Sequence, residues 1–150
     1  MSIITEAKWG IKDAGHTEGK TVPQLFALVT SLVYLALGVI GFFITGFGQV
    51  VGYSETKLLG LIHLNPFHNV VLIILGLVAL TAALALTPPA TEGVNFIFAG
   101  VLIVVAVLGY LGSFKELMAV PAGINPNTVL YFVLGVVTLL FSNPHKVLTG

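Results

Sequence analysis

Four long stretches of this chain, Val22 to Ile44, Pro66 to Leu86, Val94 to Gly112 and Asn127 to Phe141, contain no Asp, Glu, Lys or Arg. A hydrocarbon core about 30 Å thick takes roughly 17 to 25 helical residues at about 1.5 Å each. Three stretches meet that length as they stand, and the fourth meets it once its flanks Asn125 and Ser142 are included. The expected fold is therefore all-α: a polytopic membrane protein whose four transmembrane helices form an up-down bundle, with spans at about 22–44, 66–86, 94–112 and 125–142 in one domain of residues 22–142.

Residues 1–21 precede this domain as a polar leader, and 143–150 follow it as a short tail. The leader carries three of the six Lys and three of the six acids, with no apolar core and cleavage site of the kind a secretory signal needs. It is expected to be retained. Ile4, Ala7 and Ile11 fall on one helical face behind Thr5, so Thr5 to Asp13 reads either as an interfacial helix with Trp9 near headgroup level or as a solvated tail. Lys8, Lys12, Lys20 and Lys146 share one side of the membrane and Lys57 and Lys115 the other, a balance that puts both termini in the cytoplasm.

Hydrophobic residues make up 57% of the chain and charged ones 8%, which excludes an ordinary soluble domain. Six Lys, no Arg and zero net charge leave no footprint for nucleic acid, so none is expected as a partner. The absence of Cys removes disulfides, thiolate metal sites, iron–sulfur clusters and thiol catalysis. Spans without an ionised group also lack the usual marks of an ion or proton path, and neither a phosphate-binding loop nor paired carboxylates within one span suggest an enzyme.

Three links join the spans: Thr45 to Asn65, Thr87 to Gly93 and Gly112 to Asn125, the second stopped by Pro88-Pro89. Being short, that second link makes the helices on either side antiparallel neighbours. Asn65-Pro66 and Asn125-Pro126 are helix starts, with Asn as the cap and Pro at the first helical position; Asn143-Pro144 reads as an end. A shift of 68 carries Ser31, Gly38, Gly41 and Thr45 onto Ala99, Ala106, Gly109 and Ser113. A shift of 59 carries Asn69, Gly76 and Ala83 onto Thr128, Gly135 and Ser142, while the Asn-Pro pairs align at 60. The chain thus reads as two helix hairpins of the same orientation, a parallel repeat. Ala27, Ser31, Tyr34, Gly38, Gly41 and Thr45 form a small-residue face on the first helix, which lets backbones approach where no hydrophobic effect separates Leu from lipid. Ala99, Ala106, Gly109 and Ser113 form the matching seam on the third. Tyr34 and Tyr131 fall inside spans and need partners, with Thr128, Thr138 or a carbonyl as candidates.

The densest polar segment is His63-Leu64-Asn65-Pro66-Phe67-His68-Asn69. His63 and His68, with Glu55 and Glu116 in loops on the same side, form a candidate metal site, and His68 alone is a candidate ligand for a haem or pigment. The five-residue spacing across a helix start is not the spacing that sets two His on one helical face, so loop anchoring competes with both readings. Asn69 is expected to bond towards the helix of Thr128 or a loop carbonyl.

With Asn-Pro-Phe-His-Asn-Val-Val at 65–71 followed by Gly76-Leu77, the chain resembles the bacterial four-helix membrane family known as domain of unknown function 4383 across all four spans. The resemblance implies a small protein of the bacterial plasma membrane, and brings no activity, substrate or catalytic residue. Only Asn65, Pro66, His68 and Asn69 carry over, as structural positions. Leu72 stands where relatives often have a further His, and Asn127-Thr128 where an acidic residue followed by Asn is common.

The expected function is that of a non-enzymatic accessory or assembly subunit of a larger respiratory or photosynthetic complex in the plasma membrane or another energy-transducing membrane. Its partners would be lipid and other subunits or a second copy, with no cofactor required. Two alternatives stand beside it: a haem- or pigment-binding protein using His68 and the surfaces around Phe42, Phe43, Phe96 and Phe98, and an oligomeric channel for a small neutral solute.

Overall fold

The computed structural model describes Ile11 and residues 19–149. The leader expectations for Thr5 to Asp13, including Trp9, otherwise lie outside the described residues; Ile11 itself forms an isolated antiparallel bridge with Leu86. In chain order the elements are α1 (Val22–Thr45), β1 (Lys57–Leu58), β2 (Ile62–His63), α2 (Pro66–Ala85), α3 (Pro88–Tyr110), α4 (Lys115–Met118), α5 (Pro126–Leu140) and α6 (Pro144–Thr149). The fold is all-helical apart from the β1–β2 hairpin, and α1, α2 and α3 are each long and apolar enough to cross a membrane. The 15 residues of α5 are also apolar but reach only about 22 Å.

Each long helix starts on a proline in its first two positions, where a missing N–H costs nothing. For α3 this moves the boundary. The Pro88-Pro89 step opens the helix rather than standing in a link that runs to Gly93, so Thr91, Glu92 and Asn95 lie within α3 and only Leu86 and Thr87 separate it from α2. Helix ends use left-handed backbone at Gly46 (φ 66°) and Gly112 (φ 85°), and Asn143 (φ 49°) makes the break between α5 and α6.

The most extensive packing joins α1 to α2 and α3 to α5, so the neighbours expected from the short α2–α3 link touch much less than the partners within each pair. Glycine sets these approaches. A Cβ on Gly38 would lie 2.9 Å from the Asn69 carbonyl oxygen, and one on Gly76 would lie 3.0 Å from the Leu35 nitrogen. In the other pair, a Cβ on Gly135 would lie 3.1 Å from the Ile103 nitrogen and 3.2 Å from the Ala99 oxygen. Ala27, Ser31, Tyr34, Gly38 and Gly41 are buried along α1, as are Ala99, Ala106 and Gly109 along α3. Ser113 departs from the expected seam: α3 ends before it, and its side chain is exposed.

Large apolar side chains point outward and polar ones inward. Of the eleven largest wholly enclosed side chains among the described residues, eight are polar (His68, Gln24, Asn65, Asn69, Asn127, Thr91, Ser31 and Ser142), whereas Phe43 is 86% exposed and Leu140 69%. Water as the surrounding solvent would reverse that preference. With lipid outside, Leu and Phe lose nothing by facing it, while polar groups gain by finding one another.

Candidate functional site

Four of the enclosed polar side chains, His68, Asn65, Asn69 and Asn127, gather at the loop end of the helices, where residues 46–65 meet residues 111–125. α4 has one turn, so its last carbonyls lack partners within the helix. Three donors from the other loop and from α2 take them in succession. The Gly52 N–H donates to the Glu116 carbonyl (2.5 Å), the Asn65 side-chain amide to Leu117 (3.0 Å), and His68 Nδ1 to Met118 (3.0 Å). Ala119 then leaves the helix in the left-handed region at φ 57°.

His68 links the two helix pairs. The Met118 carbonyl can only accept, so Nδ1 carries a proton; in the neutral ring Nε2 accepts from the Tyr131 hydroxyl on α5. Both ring nitrogens are thereby engaged, and a metal, haem or pigment magnesium would have to displace Tyr131 or Met118 to reach one. His63 points elsewhere: its Nε2 lies 3.4 Å from the Tyr53 hydroxyl and 3.9 Å from Glu55 Oε2, and Nδ1 has no partner among the described residues. The two histidines thus face separate surroundings, and no group of three His, Asp or Glu among the described residues is placed to hold a metal ion. Desolvation and then Glu55 hold the Tyr53 phenol above its ordinary range.

Asn65 and Asn125 occupy equivalent cap positions and use them differently. Asn65 Oδ1 accepts from the His68 N–H at 2.8 Å, and its amide bridges Gly52 and Leu117, one carbonyl from each loop. Asn125 Oδ1 accepts from the Asn127 and Thr128 N–H groups, while its amide stays local on Pro121 and Gly123. Pro66 and Pro126 are the first residues of their helices. Asn69 bonds to Thr45 on α1 at 2.8 Å rather than to the Thr128 helix or a loop carbonyl, because the absent side chain of Gly41 admits it there.

Sequence reading gave Asn127 no role, yet it pairs with the backbone of His63 in both directions. Its Oδ1 accepts from the His63 N–H (2.9 Å) and its amide donates to the His63 carbonyl (3.0 Å), as a neighbouring strand would. A polar residue one position inside an Asn-Pro helix start was the available signal. At the opposite end Glu92, read as a loop residue, is buried and accepts from Asn143 (2.8 Å) and Lys146 (3.2 Å). Only the earlier start of α3 brings it inside.

The two loops are further tied by the Tyr53 N–H donating to Glu116 and by Lys115 over the Tyr53 ring, 5.2 Å from its centre. This constellation holds two loops and two helix pairs in fixed register, which is positioning chemistry. Comparison with curated proteins and with solved structures yields no match. The model of the family described as "Domain of unknown function (DUF4383)" matches residues 24–143, from the start of α1 to the break after α5, and the chain belongs to that family.

Proposed function

We propose that this protein is a non-enzymatic accessory or assembly subunit of a larger complex in the plasma membrane or another energy-transducing membrane. In this reading four helices cross the lipid, α5 being extended by its flanks, and both termini face the cytoplasm. The observation that carries the reading is the division of labour between inside and outside. His68, Asn65, Asn125 and Asn127 are spent on fixing loops and helix pairs, while the outward faces of α1, α3 and α5 offer Phe43, Ile97, Phe132 and Leu140 to lipid or to another subunit.

The two pairs also support a duplicated hairpin. Gly76 abuts Leu35 and Gly135 abuts Ile103, and the offsets of 59 and 68 that relate these residues are those that align the glycines and small residues of the sequence. Gly41 against Asn69 and Gly109 against Thr128 obey the same two offsets.

Cross-linking in native membranes, followed by purification in mild detergent, tests the function. A stable larger complex containing known respiratory or photosynthetic subunits is expected. A free monomer, under conditions that keep such complexes whole, overturns the proposal. A Soret or red absorption band that disappears in His68→Ala would instead establish the pigment reading.

A further inference from the structure

We infer that the space between the two helix pairs, beneath the β1–β2 hairpin, is a binding site for the head ring of a membrane quinone. The cavity measures about 220 Å³ and has a largely aliphatic wall that includes Leu37, Leu58, Leu72 and Leu134. Tyr34, His68, Tyr131 and Asn127 supply its polar lining, and both polar atoms of the Asn127 side chain are already engaged by the His63 backbone. Tyr34 is only 3% exposed, and its hydroxyl makes no hydrogen bond among the described residues. An enclosed phenol with an unused O–H is a donor awaiting an acceptor. Tyr131 cannot offer its own hydrogen while it serves His68, so Tyr34 is the free phenolic donor at the cavity.

Volume and chemistry narrow the occupant. Liquid water takes about 30 Å³ per molecule, so the space would hold roughly seven waters, each needing two to four polar partners that an aliphatic wall does not supply. A dry apolar cavity of about 150 Å³ holds benzene, so this larger one admits a substituted six-membered ring. The wall contains no Lys to meet the phosphate that accompanies a phospholipid ester carbonyl. A ring carbonyl meets both conditions: it accepts from Tyr34 and buries the remainder of the ring against leucine. Leu59, 86% exposed at the rim, marks a side through which a hydrocarbon tail would leave.

The test uses the full chain in detergent micelles, with duroquinone as probe and durene, the same methylated ring without carbonyls, as control. Equilibrium dialysis against empty micelles gives the bound fraction, and thermal unfolding checks the fold. Saturable binding of one duroquinone per chain is expected, with durene about tenfold weaker, the worth of one hydrogen bond. Tyr34→Phe, which keeps volume, should weaken duroquinone about tenfold and leave durene unchanged. Leu130→Trp, filling the cavity from a half-buried position, should abolish both. Uptake no greater than that of empty micelles overturns the inference. So does equal affinity for duroquinone in the wild type and in a folded Tyr34→Phe variant.

Discussion

The two helix pairs share a frame and differ in where their polar groups reach. In the α1–α2 pair, Asn69 crosses from α2 to Thr45 on α1, Asn65 bridges the two loops at one end of the helices, and His68 extends to Met118 and Tyr131. In the α3–α5 pair, Thr128 returns to Gly123 and to the Asn125 N–H, and the Asn125 amide stays within its own loop. The first pair reaches across through Asn65 and His68, and the second returns the contact through Asn127 on the His63 backbone. At this end, a pair of similar hairpins can therefore be held together by polar residues drawn mainly from one copy, with the other offering backbone carbonyls, a phenol and the Asn127 side chain.

Glycines that face backbone and glycines that face side chains tolerate substitution differently, and at the former the largest effect is expected. A side chain on Gly38 meets the Asn69 oxygen at 2.9 Å and the Ile73 nitrogen at 3.1 Å, both backbone atoms that can yield only if α1 and α2 separate. A side chain on Gly109 meets the Thr128 and Val120 methyl groups, each at 3.2 Å, which can shift by a few tenths of an ångström. Gly38→Ala should cost about 3 kcal/mol, and Gly38→Leu should prevent recovery of folded protein. Gly109→Ala should fall within about 1 kcal/mol of wild type, because the helix propensity gained offsets the crowding. Equal losses in the two variants, measured by unfolding in detergent, would show that the two kinds of contact are equally costly.

Next in size is the link between the pairs. His68→Leu leaves the Met118 carbonyl and the Tyr131 hydroxyl without their partner, at an expected cost of about 2–3 kcal/mol. Tyr131→Phe removes one of the two bonds and should cost about 0.6 kcal/mol and no more than about 1.7, the average and the maximum found for hydrogen bonds between membrane helices. Amide exchange adds a spatial criterion: His68→Leu should expose residues of both loops, since α4 loses one of its three acquired donors. Faster exchange confined to α2 would remove His68 as a link between the pairs.

The caps distinguish the two pairs more finely. Asn125→Ala should cost about 1 kcal/mol, as an ordinary N-cap does, with exchange rising only at the start of α5. Asn65→Ala loses its cap and also its bridge from Gly52 to Leu117, so it should cost about 1 kcal/mol more and loosen both loops. The ratio of the two losses is the informative quantity, and a ratio near one would mean that the bridge contributes nothing to stability.

Capping was legible in the sequence because it is local: the N–H groups that Asn65 and Asn125 serve lie two or three residues away. The apolar runs were legible for the same reason, since lipid imposes its requirement on each helix separately. What remained hidden depends on the approach of distant segments. His68 is separated from Met118 by 50 residues and Asn127 from His63 by 64, and neither pairing has a local signature. The third helix was misjudged because Pro-Pro reads equally well as a stop or as a start, and only the packing of Thr91, Glu92 and Asn95 decides between them. Thr91 bonds back to the Ala82 carbonyl, and Glu92 receives Asn143 and Lys146, so the residues that looked like a link are gripped from both sides.

The opposite end, where α2 meets α3, extends the comparison to its smallest expected effect. Gln24 in α1 and Glu92 in α3 are related by the same offset of 68, and both are buried. Gln24 donates to the Leu86 carbonyl at 2.9 Å, a neutral bond indifferent to salt, whereas Glu92 receives Asn143 and Lys146 from the C-terminal segment. The Lys146 side chain is 62% exposed, so its attraction is screened by water, and Asn143 continues to satisfy the carboxylate when the ammonium is removed. Lys146→Met should therefore cost no more than about 1 kcal/mol, and its effect should shrink as salt is raised from low to physiological strength. Glu92→Gln gives the second pair the neutral residue of the first and should abolish that salt dependence. A cost of several kcal/mol for Lys146→Met, unchanged by salt, would place the ion pair out of reach of water in the membrane, and would make the C-terminal segment a part of the packed structure instead of an appendage to it.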